Sequence, residues 1–453
     1  VPHLHDELLK RFGPGRTEGA RACSCGRPHP LRVREILLGE GALEEAAARL
    51  SRGAARSIWL LSDGNTEAAA GARLRGLVHD RRVTGRVLPA LPVPVPTEAL
   101  VAELADEVRA AAPELLVAVG SGVVSDLGKA VSRATGVPSW SVATAASVDA
   151  YTSATAAIRV GGYHRALPAT PAEVVVCDVG VIAAAPRRLF LAGLGDLLAK
   201  YLARLDWKLA GLVTGEWCCE ELSGLALGAA RRAIEAAALA AAQPAGAALP
   251  GGVAEALMDA ALVSGLCMQG AGSSRPAAGA EHTIAHFWEM AGAVTDEAND
   301  LHGLLVGAAS RPVLRGYAAW FGGLGGHRGE AATGAEAPWE EALPPEMARF
   351  RGILDEVERS RAPQRAGLPA RRAAFARHRE AIAALAAPLL AELAGAVGTL
   401  ERLGFPFAPG LAEPWRTLGV RHVRRLRDRY TAFDLAHDLG DEAALVEAVV
   451  AAP

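Results

Sequence analysis

Short apolar runs of strand length, separated by helix-period segments, dominate the first two fifths or so of this chain. Arg32 to Leu38 alternates as an edge strand does, and Ala42 to Leu50 sets Leu43, Ala46, Ala47 and Leu50 on one helical face. Ser57 to Ser62 is continuously apolar and ends at Asp63-Gly64-Asn65-Thr66. Arg86 to Leu91, Leu115 to Val119, Ser139 to Ala143 and Glu173 to Asp178 repeat that pattern. Strands this apolar belong in a parallel sheet covered on both faces. Thr97 is expected to cap a helix with Leu100, Val101, Leu104 and Val108 inward. After Pro186 the pattern is helical almost to the end, with no further convincing strand. The expectation is an α/β domain over 1–186 and an all-α domain over 187–453, with 322–345, rich in Gly, Ala, Glu and Pro, as an inserted surface loop.

With 453 residues, half of them hydrophobic, and a net charge of -3, the chain has the composition of a soluble globular protein of two or three domains. It has no basic block, so neither nucleic acid nor an anionic membrane surface is an expected partner. The uncharged stretch from Ala236 to Ala254 approaches spanning length, but Gln243, two prolines and several glycines mark it as a helix end, a loop and a new helix. No secretory signal is expected in Val1-Pro-His-Leu-His-Asp, and six cysteines in so long a chain make no disulfide framework, so the expected compartment is the cytoplasm. Only Lys10, Lys129, Lys200 and Lys208 survive an evident preference for Arg, which suggests positions where a compact ammonium is needed.

Candidate chemistry lies where the strands end. Gly120-Ser121-Gly122-Val123-Val124 follows a buried strand and opens a helix, which allows close approach of a pyrophosphate to the helix N-terminus. The third glycine of the usual dinucleotide fingerprint is missing. Asp63 is placed either to accept from a cofactor ribose or to cap a turn, and Thr144, Ser147, Asp149 and Ser153 line another strand end. Cys23-x-Cys25-x3-His29 has zinc-like spacing, but no second ligand pair follows nearby. In the helical half, three of the twelve histidines cluster: His282 and His286 lie one helical turn apart, and His302 sits in a separate segment. Asp196, between leucines in an apolar helix, needs a cap role or a cationic partner. One carboxylate with two or three histidines is an adequate shell for a catalytic divalent metal.

Taken in order, Gly120-Ser-Gly122, Thr144-Ala-Ala-Ser-x-Asp149-x-Tyr-Thr-Ser153, Gly195-Asp196-x3-Lys200, Ser273-Ser-Arg-Pro-x2-Gly-x-Glu-His282-x3-His286 and His302-Gly303 resemble the sn-glycerol-1-phosphate dehydrogenases, in the group that also holds glycerol dehydrogenase, iron-containing alcohol dehydrogenases and dehydroquinate synthase. The N-terminal Cys-x-Cys-Gly and the Asp63 turn are similar to the bacterial branch. The resemblance covers roughly residues 20 to 310. It implies a Rossmann-like nucleotide-binding domain and a helical metal-binding domain, the dehydroquinate synthase-like fold, with the active site in the cleft between them. It implies Asp196, His282 and His302 as metal ligands, with Asp196 also near substrate, and Asp149 and His286 as substrate-binding and catalytic residues. It further implies Asp63, Gly120, Ser121, Gly122, Val123, Val124, Thr144, Ser147 and Ser153 around NAD or NADP.

The metal is then zinc or nickel, or iron, and the substrate dihydroxyacetone phosphate, reduced to glycerol phosphate. For the phosphate, Arg275 and Arg165 are the expected cations. A homodimer is compatible with this reading. His302-Gly303 is followed here by Leu304-Leu305 where relatives carry Glu and a polar residue, which bears on substrate preference. The rivals are a dehydrogenase of an unphosphorylated polyol, a dehydroquinate synthase-like cyclase, and a non-catalytic homologue.

Overall fold

Alternate residues of the apolar runs face opposite sides of one parallel sheet. Ile58, Leu60, Val117, Val119, Val142 and Val176 join the helix Ala42–Arg52 in one core cluster. Trp59, Leu61, Leu116 and Ala118 join the helices Glu98–Ala111 and Gly122–Thr135 in another. The structure is a computed structural model that describes residues 3–14, 23–161, 163–240, 249–295, 300–324, 339–361 and 367–451. Its main sheet contains β1 (Glu35–Gly39), β2 (Ser57–Asp63), β3 (Arg82–Leu88), β4 (Leu115–Gly120), β5 (Ser139–Ala143) and β8 (Val174–Asp178). Between the last two lies a separate hairpin, β6 (Thr155–Val160) and β7 (Tyr163–Pro168), which the apolar pattern does not announce because both strands are short and half-exposed.

The six strands run in the order β1-β8-β5-β4-β2-β3, all parallel. From β2 the chain moves outward to β3 and then returns to the other side of β2 as β4, so the winding reverses between β2 and β4. Open α/β sheets bind ligands at such a reversal, outside the carboxyl ends of the strands. Asp63 and Gly120 are the last residues of those two strands.

By internal contacts the chain divides into two compact units. The first is Val1–Val160, His164–Leu197 and Gly228–Ser274; the second is Gly161–Tyr163, Leu198–Leu227 and Arg275–Pro453. The helix Arg187–Thr214 therefore begins in the first unit and ends in the second. The strands end well before Pro186, and among the described residues everything regular beyond β8 is helical. The helix Gly251–Ala271 nonetheless groups with the sheet. Its Asp259 carboxylate accepts from the backbone N–H of Leu4 (3.1 Å) and of His5 (3.2 Å) and from His5 Nδ1 (2.6 Å), anchoring the helix Leu4–Phe12.

The Ala236–Ala254 stretch resolves into a helix ending at Ala240 and another starting at Gly251, with 241–248 outside the described residues. Within the expected 322–345 loop, 325–338 lie outside them too, and Trp339–Ala342 is a helical turn. Among the described residues two helices, Gly251–Ala271 and Leu368–Arg402, are long and apolar enough to cross a membrane. The first has 72% of its most apolar window buried inside the protein, as a core helix does.

Candidate active site

In the first unit, the turn after β4 leads straight into the helix Gly122–Thr135, whose N-cap Ser121 makes no side-chain capping bond. A helix N-terminus without a side-chain cap presents its first amides and its positive dipole end to an anion. The missing third glycine is replaced in its packing role by Gly128, further along. A Cβ there would lie 2.5 Å from that of Ala118, so the helix sits close on β4. Asp63 is buried and its Oδ1 accepts from the N–H of Asn65 (2.8 Å) and Thr66 (3.0 Å), while Thr66 Oγ1 accepts from Asp63 N–H. The capping role at this turn is thus filled, at the sheet position where a ribose is expected.

The loop after β5 is pinned from several sides. Lys129, 1% exposed, contacts Asp126 (2.8 Å) and donates to the carbonyls of Ala150 (2.7 Å) and Thr155 (2.6 Å) and to Ser153 Oγ (3.2 Å). A compact ammonium with several acceptors around it explains why lysine stands here rather than arginine. Ser153, buried, also donates toward Ala150 O, so its hydroxyl belongs to this loop-holding network. Gly265 of the helix Gly251–Ala271 lets the loop come close, since a Cβ there would meet Thr152 Oγ1 at 2.2 Å and Asp149 O at 2.8 Å. Asp149 is buried; its carboxylate accepts from Ser264 Oγ (2.7 Å) and its N–H donates to Asp196 Oδ2 (3.1 Å). Thr144 and Ser147 are buried along the same loop.

In the second unit the three histidines converge. His282 and His286 project from the helix Ala280–Thr295, and His302 opens the helix His302–Gly323. Ring centroids are 5.4 Å apart for His282 and His302, 5.1 Å for His286 and His302, and 6.4 Å for His282 and His286. Each ring is oriented by a carboxylate at Nδ1. Glu281 Oε1 takes His282 (2.9 Å), and it also accepts from the N–H of Gly279 (2.7 Å). Glu289 takes His286 on Oε2 (2.9 Å) and His302 on Oε1 (2.8 Å). Carboxylates on Nδ1 fix the tautomer and direct Nε2 outward, the arrangement that accompanies metal-binding imidazoles. Neither glutamate is found by reading the histidines alone, although Glu289 lies three residues after His286 and so on its face of the helix.

Burial works against the charge of Glu289, but His302 and His286 outweigh it and hold the carboxyl well below the ordinary range. Burial, and next the Arg427 guanidinium, push His286 down to about 3. At neutral pH that ring is uncharged, with Nδ1–H donated to Glu289. Nε2 then carries the lone pair of the neutral ring. Tyr163 packs edge-on to His286, with centroids 6.4 Å apart.

A model of the family described as "Iron-containing alcohol dehydrogenase" matches residues 37–186. The glycerol-1-phosphate dehydrogenase [NAD(P)+] of Bacillus licheniformis is 31% identical over 295 residues, covering 64% of this chain and 72% of that protein. That of Methanocorpusculum labreanum is 34% identical over 257 residues, covering 56% and 68%. The chain belongs to the glycerol-1-phosphate dehydrogenase family. Among solved structures, a probable glycerol dehydrogenase from Sinorhizobium meliloti 1021 is similar with a TM-score of 0.58 at 18% identity, covering 92% of this chain and 96% of that one. Maleylacetate reductase from Agrobacterium tumefaciens gives 0.58 at 17%, covering 94% and 98%. These structures share the fold: an α/β part with a parallel sheet and a helical C-terminal part.

Two features of this family member bear on the expectations for the phosphate and the His302 segment. Arg275, 6% exposed, pairs with Glu216 through Nε (2.7 Å) and Nη2 and donates to Tyr430 O (3.2 Å), so its guanidinium is engaged inside the second unit. Arg165 is half-buried on β7. Leu304 and Leu305 are buried core residues of their helix, which accounts for apolar side chains at those positions.

Proposed function

We propose that this chain catalyses the reversible, NAD(P)-linked reduction of dihydroxyacetone phosphate to sn-glycerol 1-phosphate, with one divalent metal on Asp196, His282 and His302. The observation that carries this reading is the pair of imidazoles on different helices, each with Nδ1 held by a carboxylate. Support for the third ligand comes from the helix Arg187–Thr214. Lys200, fully buried, donates to Ala277 O (3.3 Å) shortly before the histidine helix begins. Asp196 lies four residues earlier, on the same helical face and one turn of about 5.4 Å away. Two imidazoles and a carboxylate suit zinc, nickel or ferrous iron.

A metal bound there would polarise the ketone and a nicotinamide would supply the hydride. The residues of the chain do the rest. The amides at Gly122, Val123 and Val124 take the cofactor pyrophosphate; Asp63, Thr144 and Ser147 contact the remainder of the dinucleotide. Asp149, oriented by Ser264, accepts from a substrate hydroxyl. His286 accepts the proton released when the alcohol is oxidised and returns it in reduction. Arg165 is assigned to the substrate phosphate. Because Arg275 is engaged by Glu216, an unphosphorylated polyol or ketone is the second reading. We place the enzyme in the cytoplasm.

The deciding assay follows NADH and NADPH oxidation by metal-reconstituted protein with dihydroxyacetone phosphate or dihydroxyacetone. Phosphate-dependent turnover is expected. Turnover with dihydroxyacetone alone selects the second reading, and no turnover with any divalent metal overturns both. His286→Gln is expected to lower kcat with little change in bound metal.

A further inference from the structure

We propose that Cys23, Cys25 and His29 form a second metal site, structural rather than catalytic, that takes zinc. The segment lies before β1 in the first unit and has no part in the reaction above. The Sγ atoms of Cys23 and Cys25 and a ring nitrogen of His29 all lie within 4.8 Å of one another, and Cys25 Sγ is 3.2 Å from His29 Nε2. Gly26, at φ 76°, turns the chain so that its N–H bonds Cys23 O (2.9 Å) and both sulfurs come to one side. The N–H of Arg27 donates to Cys25 Sγ (3.4 Å), so the sulfur is held in place by the backbone of its own turn.

The imidazole is set for coordination by its other nitrogen. His29 Nδ1 donates to Gly270 O (2.9 Å), at the end of the helix Gly251–Ala271, so in the neutral ring Nε2 carries the lone pair and faces the sulfur. A backbone carbonyl on the non-ligating nitrogen is a usual support for a metal-bound histidine. Phe12 packs edge-on against the ring at 5.3 Å, and His29 and Cys23 are 3% and 5% exposed. A nucleophilic Cys25–His29 pair would need no third soft donor; the buried Cys23 thiol beside them has the character of a ligand. Two thiolates and an imidazole select zinc over magnesium or calcium. The fourth position of a tetrahedral ion falls to water or to a thiol elsewhere in the chain. Such an ion fastens the N-terminal segment to the end of the Gly251–Ala271 helix, where Arg32 N–H also bonds the Gln269 side chain.

The test uses the full chain, with metal counted by mass spectrometry and with cobalt as a spectroscopic substitute for zinc. His282→Ala is expected to retain one zinc per chain, and Cys25→Ser in that background to lose it. Cobalt-loaded wild type and His282→Ala are both expected to show thiolate-to-cobalt charge-transfer absorption. Its absence from both, or equal zinc in His282→Ala with and without Cys25→Ser, overturns the proposal. The cobalt reading on wild type needs no cysteine variant, so it stands even if Cys25→Ser fails to fold. Failure of the catalytic-metal reading alone would show instead as full activity and undiminished metal in His282→Ala with the thiolate band present.

Discussion

Two helices carry the proposed chemistry, and their N-termini are treated in opposite ways. The helix Gly122–Thr135 starts after a glycine turn with no side-chain cap. The helix Ala280–Thr295 starts against Asp206, whose Oδ2 accepts from Ala280 N–H (3.0 Å), and whose Oδ1 accepts from Ala432 N–H (3.0 Å) and from the hydroxyl of Tyr317 (3.1 Å). An N-terminus closed by its own protein is a scaffold: it binds nothing itself and instead holds His282 and His286 in the first and second turns. An N-terminus left without a side-chain cap is available as an anion site. The first arrangement fixes where side chains point, whereas the second leaves the backbone to do the binding.

The largest test of this contrast is Asp206→Ala. It strips an acceptor from two buried backbone amides and a buried tyrosine, so a loss of about 4 kcal/mol is expected in urea unfolding. A loss under about 1 kcal/mol would break the comparison at its closed end. Next comes Glu289→Gln, which removes the charge shared by His286 and His302; metal affinity, measured by chelator competition, is expected to fall roughly 10- to 100-fold. At the other end, Ser121→Asp supplies the missing cap and a negative charge. Stability is expected to rise by about 0.5 kcal/mol while NADH binding, followed by fluorescence, weakens about tenfold. Unchanged NADH affinity would mean that this N-terminus is not the pyrophosphate site.

The same Asp206 also governs a pH dependence. Burial, and then the Glu281 carboxylate, raise Asp206 from 3.8 to about 7. A carboxyl raised on folding binds its proton more tightly in the native state. Its contribution to stability is therefore full below pH 3.8 and is lost as pH rises through about 7. Unfolding midpoints taken between pH 4 and 7 are expected to show a flatter slope in Asp206→Asn than in wild type, whatever the variant's absolute stability.

The apolar runs of β2, β4, β5 and β8 were legible because a doubly covered parallel sheet writes continuous hydrophobicity into each strand, and β1 because an edge strand alternates. The β6–β7 hairpin was not, since half-exposed strands carry a weak period. Among the site residues, the histidine spacing and the glycine turn could be read directly from residue type and interval. Of the carboxylates behind the rings, Glu281 stood in the motif without a role and Glu289 could not be ranked above any other glutamate, because neither role is visible without knowing which oxygens face Nδ1. For Arg275, an arginine within the motif invites a phosphate role, and only the fold reveals Glu216 as a partner of its guanidinium.

By itself the sequence determined the fold class, the order of the motifs and the residue types proposed to hold metal and dinucleotide, because these depend on local period and local chemistry. Only the tertiary structure decided which groups are already occupied. It assigned Asp206 to a helix end, Lys129 to a loop and Glu289 to two imidazoles, and it left the amides after Ser121 without a side-chain cap. The reason is that hydrogen-bond partners are chosen in space, from a few to more than two hundred residues away along the chain, and a buried polar group is stable only where such a partner arrives.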